Sequence, residues 1–155
     1  MKIMFVCHGN ICRSPMAEFI MKRLLAERGL LNKHSVASSA TSTEELGNPV
    51  YPPAARELRK HGIDPSGKYA RQLSRGDLDK YDIFVGMDGA NIRNMHRMLG
   101  EGAEGRIYKL LSFVGSSRDV ADPWYVGNFD VTYRDCLEGC EALLDAIENG
   151  EIQAK

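Results

Sequence analysis

A chain of 155 residues, 43% of them hydrophobic, is the size of one ordinary globular domain and can bury a full core without disulfides or metals. Its 20 basic residues face 21 acidic ones, a net charge of −1, which excludes a bulk basic field for nucleic acid or an anionic membrane surface, so anion binding has to be local. No stretch approaches the roughly 18 apolar residues of a membrane span, and the apolar run Met1 to Cys7 lacks a small-residue cleavage site, so a cytoplasmic protein with reduced cysteines is expected.

In chain order, Lys2 to Val6 reads as a short buried strand. Pro15 to Arg28 carries Met16, Ile20 and Leu24 on one helical face, with Gly29 closing it. Ser35 to Ser39 is a weaker strand. Pro53 to His61 is a short helix with proline in its first turn and Gly62 beyond its end. Tyr81 to Val85 reads as another buried strand, and Asp88 as the N-cap of a helix bearing Ile92, Met95 and Leu99. Arg106 to Leu111 is a further strand. In the last helix Tyr133, Cys136, Leu137, Cys140, Leu143, Leu144 and Ile147 recur at three- and four-residue spacings before Gly150, which places Cys136 and Cys140 in the core. Strands alternating with helices, with no repeat or linker between them, predict one domain over residues 1–155: an α/β three-layer sandwich with a parallel sheet covered on both faces.

In such a sheet ligands bind beyond the carboxyl ends of the strands. The first of these loops is Cys7-His8-Gly9-Asn10-Ile11-Cys12-Arg13-Ser14. A helix start offers unpaired N–H groups and a positive dipole, and Gly9 and Asn10, both tolerant of left-handed backbone, can turn further N–H groups inward. That makes an anion nest. It differs from the nucleotide-binding loop, whose lysine is missing; Arg13 offers a fork that holds two phosphate oxygens. The same surroundings favour ionisation of Cys7 and place it to attack phosphorus, with Ser14 able to donate to the sulfur. Displacing an alkoxide or phenoxide also needs an acid, which the nest lacks. Asp122, in Val120-Ala121-Asp122-Pro123-Trp124-Tyr125, is the candidate, followed by two aromatics suited to a flat leaving group.

Cys-His-Gly-Asn-Ile-Cys-Arg-Ser-Pro-Met-Ala-Glu resembles the signature of the low-molecular-weight protein tyrosine phosphatases, and the likeness spans nearly the whole chain. Ser38-Ser39-Ala40-Thr41-Ser42 with Gly47-Asn48-Pro49, Ala70-Arg71-Gln72-Leu73, Met87-Asp88 with Asn91, and Asp122-Pro123-Trp124-Tyr125 are similar to later family segments, in the same order. The resemblance implies a central four-stranded parallel sheet and hydrolysis of phosphotyrosine without metal or cofactor. Cys7 would be the nucleophile, Arg13 and the loop residues His8 to Cys12 would hold the phosphoryl oxygens, and Asp122 would be the acid and then the base. Ser14 would assist the thiolate; Asn10 would hold the loop through Ser38, with Asp88 completing that support. The implied partners are tyrosine-phosphorylated proteins or peptides, with inorganic phosphate as product, neither nucleic acid nor membrane, and a monomer or weak dimer.

The chain departs from the family where an aromatic often reaches the pocket wall. Glu44 and Glu45 stand there, which leaves Trp124 and Tyr125 to supply the stacking. Ala37 stands where an aspartate is common, a difference nothing in the sequence explains. Cys12 is either loop packing or the partner of a reversible, protective bridge to Cys7. His8 is expected at the pocket rim, His34, His61 and His96 at the surface or as caps, and Arg71-Gln72 on a solvated face. Arsenate reductases with a similar loop carry further redox cysteines, whereas this chain has none between Cys12 and Cys136. Arginine phosphatases have a threonine after the loop asparagine, where this chain has Ile11. An inert phosphate-binding module would have no need to keep Cys7, Arg13 and Asp122 together.

Overall fold

The computed structural model describes residues 1–154. Its sheet contains β1 (Lys2–Cys7), β2 (Ser35–Ala40), β3 (Ile83–Gly86) and β4 (Ile107–Lys109), all parallel, in the order β2-β1-β3-β4. The helices are α1 (Arg13–Glu27), α2 (Pro52–Lys60), α3 (Gly89–Leu99), α4 (Pro123–Val126) and α5 (Phe129–Glu148). β1 shows why both faces are covered. Ile3, Phe5 and Cys7 point into one core with α1, α2 and α5, while Met4 and Val6 point into another with Met95 and Leu99 of α3. This two-residue alternation buried on both sides is what a parallel sheet between helical layers requires. No helix among the described residues is long and apolar enough to cross a membrane.

From β1 the chain first adds β2 on one side and later β3 on the other. The carboxyl ends of β1 and β3 therefore diverge into different helices and leave a crevice, the place where open α/β sheets bind ligands. Gly86 ends β3 at this point. A Cβ there would lie 2.8 Å from Met95 and 3.0 Å from both Asn91 and Ile92, so a side chain would push α3 off the sheet and displace the loop that follows.

Several boundaries differ from the sequence reading. α1 begins at Arg13, two residues before Pro15, because a proline in the first turn loses only an N–H that has no helical partner. Arg13 and Ser14 are thus helical residues. β3 starts at Ile83, leaving Tyr81 outside it, and β4 stops at Lys109 because Leu110 to Val114 form a 3-10 turn that sinks Leu110 and Leu111 into the core. Leu110 fits there because residue 139 of α5 is glycine, whose Cβ would meet it at 2.5 Å. α5 begins at Phe129, its Asn128 cap accepting from the Val131 N–H at 3.3 Å. Nor is His34 a surface residue: its side chain is 4% exposed, 2.7 Å from Glu148. His61 stacks on Tyr133 with ring centroids 3.7 Å apart.

Candidate active site

The crevice is a cavity of about 280 Å³ lined by the loop residues Cys7, His8, Gly9, Ile11, Cys12 and Arg13, by Glu44 and Glu45, and by Asp122, Trp124 and Tyr125. Cys7 ends β1, 4% exposed. The N–H of Asn10 donates to its sulfur at 3.3 Å, and the Ser14 hydroxyl lies 3.0 Å from it. Among the described residues Asn10 is the non-glycine with positive φ, at 60°, a conformation asparagine tolerates and most residues resist. Gly9 has no positive φ, and a Cβ there would meet Glu45 Cγ at an ordinary contact distance of 3.4 Å, so neither backbone nor neighbours in the chain require glycine at this position.

The Asn10 side chain holds that turn in place. Its amide donates to Ser14 Oγ at 2.8 Å and to Ser38 Oγ at 2.9 Å, while its carbonyl accepts from the Arg71 N–H at 3.2 Å. Ser38 passes its own hydrogen to Glu18 at 2.6 Å. The directions then follow along the chain. Ser14 Oγ accepts from Asn10 and can give its hydrogen to the sulfur of Cys7 at 3.0 Å or to the Ser39 carbonyl at 3.5 Å, the sulfur being the nearer. Glu18, buried at 5% exposure, is balanced by Lys22 at 2.5 Å and Lys68 at 3.7 Å. Burial pushes the Lys68 ammonium pKa down.

Arg13 is also buried. Nη1 donates to Asp88 at 2.8 Å and to the Val120 carbonyl at 3.1 Å, and Nη2 lies 3.5 Å from Asp122. Burial opposes its charge, yet Cys7, Asp88 and Asp122 outweigh that and push its pKa up. Asp122 caps α4 by accepting from the Trp124 N–H at 3.0 Å. Trp124 leans on Tyr51, ring centroids 4.8 Å apart, and Tyr125 is 85% exposed. In the same lining, Glu44 meets His8 at 3.0 Å and Glu45 accepts from Asn48 at 2.6 Å. Cys12 is a free, buried thiol whose pKa is pushed up to about 12, first by burial and then by Cys7 and Asp122. Among the described residues no cluster of three or more His, Cys, Asp or Glu is placed to hold a metal ion.

The fold brings Cys7 to Ser14, Ser38, Glu44, Asp88, Asp122, Trp124 and Tyr125 together at one edge of the sheet, with two changes of partner. Asp88 does not join the Asn10 network but pairs with Arg13. Arg71 is no free solvated side chain: besides its N–H bond to Asn10, its guanidinium holds Asp77 at 2.9 Å. Glu18, Lys68, Tyr51 and the Val120 carbonyl went unread. Glu18 had two visible signals: it closes the stretch from Cys7 that resembles the family signature, and it stands four residues beyond Ser14 on the same helical face.

Comparison with known proteins agrees with this geometry. The family model described as low molecular weight phosphotyrosine protein phosphatase matches residues 2–153. The protein named low molecular weight protein-tyrosine-phosphatase YfkJ, from Bacillus subtilis, is 41% identical over 94% of this chain and 95% of its own. Its crystal structure superposes with a TM-score of 0.93 over 98% and 97% of the two chains at 40% identity. The rat low molecular weight phosphotyrosine protein phosphatase is 34% identical over 92% and 93%. A Drosophila structure titled an arginine phosphatase matches with a TM-score of 0.88 at 29% identity, covering 96% and 98%. With its cysteine loop, buried arginine and aspartate around one crevice, the chain belongs to the low molecular weight phosphotyrosine protein phosphatase family.

Proposed function

We propose that this protein tyrosine phosphatase works through Cys7, Arg13, Ser14 and Asp122. The observation that carries the reading is the sulfur of Cys7 on the cavity floor, facing Ser14 and the Asn10 N–H, with Arg13 and Asp122 lining the same cavity. The phosphoryl group of a tyrosine ester enters the loop, where backbone N–H groups and Nη2 of Arg13 take its oxygens. Asp88 and the Val120 carbonyl hold Nη1 still, so the guanidinium is positioned before substrate arrives. Cys7 sulfur attacks phosphorus, the ester P–O bond breaks, and Asp122 gives its proton to the leaving phenolic oxygen. Water then attacks the phosphocysteine, Asp122 takes a proton from it, the P–S bond breaks, and phosphate leaves with Cys7 restored as thiolate. Ser14 donates to the sulfur in both steps.

The deep sulfur suits a long, flat phosphotyrosine better than a short phosphoserine, and Trp124 and Tyr125 suit its ring. Ile11 supplies no hydroxyl that could serve the water of an arginine phosphatase, and no cysteine stands between Cys12 and Cys136 to run an arsenate relay. In this reading the whole chain acts as one domain in the cytoplasm, as a monomer or weak dimer. Side-by-side turnover of phosphotyrosine, phosphoarginine and arsenate, with chelator present, tests it. Phosphotyrosine should be the preferred substrate and Cys7→Ser should abolish its hydrolysis; undiminished turnover in that variant overturns the mechanism.

A further inference from the structure

The cavity has a cationic floor and an anionic mouth. Arg13 is the one lysine or arginine among the described lining residues, and it is buried against Asp88 and Asp122. At the mouth stand Glu44, with a side chain 69% exposed, and Glu45. Both carboxylates are held toward the phosphate loop. Glu44 meets the His8 ring at 3.0 Å, and Glu45 accepts from the Asn48 amide at 2.6 Å while packing over Gly9. Among the described residues neither is paired with a lysine or arginine; the partner of Glu44 is the His8 ring and that of Glu45 the neutral Asn48 amide. In the lining of the same cavity, Trp124 and Tyr125 are 55% and 85% exposed.

A phosphate dianion reaching the floor has to pass these carboxylates, and like charges in a narrow cleft repel at close range. A substrate with its own cation beside the phosphate removes that penalty and gains an ion pair. The aromatic rings of Trp124 and Tyr125 in the same lining also attract cations.

We infer that the mouth selects tyrosine-phosphorylated segments with lysine or arginine next to the phosphotyrosine, and that Glu44 and Glu45 read that charge. The inference rests on the phosphatase chemistry proposed above and adds a substrate class to it. Both carboxylates lie outside the reacting atoms, so the selection falls on KM rather than on kcat.

The experiment uses the full-length protein and three phosphotyrosine peptides of equal length, flanked by lysine, alanine or glutamate, with para-nitrophenyl phosphate alongside. The lysine-flanked peptide should be preferred over the glutamate-flanked one by about threefold to tenfold in kcat/KM, the size expected of two exposed ion pairs. The preference should lie in KM and shrink at about 1 M salt, where screening reaches about 3 Å. In Glu44→Gln/Glu45→Gln the lysine-to-glutamate ratio should fall to about one; because the ratio is taken within each variant, a general change in turnover cancels. Equal kcat/KM for the three peptides in the wild type, or an unchanged ratio in the double variant, overturns the selection while leaving the phosphatase chemistry standing. Failure to turn over para-nitrophenyl phosphate overturns the chemistry itself.

Discussion

Asp88 and Arg13 are bonded 2.8 Å apart, and this contact ties the carboxyl end of β3 to the first residue of α1. Asp88 does a second thing with its other oxygen, accepting from the Asn91 N–H at 2.8 Å to cap α3, while the Asn91 side chain accepts back from the Asp88 N–H at 3.1 Å. One carboxylate thus fixes the guanidinium proposed to hold phosphate and starts a helix.

The two roles separate by substitution. Asp88→Asn keeps an effective cap but removes the charge facing Arg13, whereas Asp88→Ala removes both. Each should lower kcat/KM about tenfold to a hundredfold by loosening Arg13. Asp88→Ala alone should also lose about 1 kcal/mol of stability from the cap. Paired kinetics and urea unfolding of the two variants check this; full activity in Asp88→Asn would remove the aiming role.

Asn10 combines a left-handed backbone with three side-chain hydrogen bonds. Asn10→Ala should destabilise by about 2 to 3 kcal/mol, from backbone strain and the lost bonds together. Asn10→Gly should recover about 1 kcal/mol of that, because glycine relieves the strain, yet it should stay as slow as Asn10→Ala because neither variant orients Ser14. Denaturation midpoints and kcat for both measure the split, and normal kcat in Asn10→Gly would mean that the side chain only shapes the turn.

Asp122 is predicted to matter in proportion to how badly the leaving group needs a proton. Asp122→Asn should slow phosphotyrosine by about a hundredfold to ten-thousandfold, and esters of far more acidic phenols much less. A plot of log kcat against leaving-group pKa should steepen in the variant. Parallel lines for variant and wild type would take the proton away from this residue.

Cys12 has its pKa pushed up to about 12, so near neutral pH it stays a protonated thiol, and reagents that need the thiolate reach it slowly. Iodoacetamide labelling of Cys12, located by tandem mass spectrometry, should rise about tenfold per pH unit from pH 7 toward pH 10. The sign for stability is set by the same shift. Folded Cys12 holds its proton above the pH at which an unfolded cysteine releases it, so its contribution is intact below about pH 8.5 and is lost as pH climbs toward about 12. The buried thiols of Cys136 and Cys140, also pushed up by burial, act in the same direction. Any bridge from Cys12 to an oxidised Cys7 should likewise form faster at pH 9 than at pH 7. Labelling that is flat between pH 7 and pH 10 would contradict the shift.

The loop from Cys7 to Ser14 was legible because its residues are contiguous: a strand end, a tight turn and a helix start are local events that neighbouring residue types decide. The strands and helices were legible from their periodicity, with errors at ends such as β4, where Leu110 leaves the strand because Gly139 makes room for it. Asp88 was readable as a cap but not as the partner of Arg13, since those residues are 75 positions apart. Arg71 reads as a solvated residue because its decisive bond to Asn10 uses a backbone N–H, which nearly every residue has.

By itself the sequence determined the chemistry on offer: a thiol, an arginine and a helix start within eight residues, and an aspartate followed by proline and aromatics elsewhere. Tertiary structure alone decided which carboxylates face Arg13 and which groups surround the Ser14 hydroxyl. The first is a matter of residue types adjacent along the chain, where the backbone limits the possible geometries to a few. The second depends on parallel strands bringing distant loops to one edge of the sheet, and on a chain of hydrogen bonds from Glu18 through Ser38 and Asn10 whose direction exists only once all its members are in place.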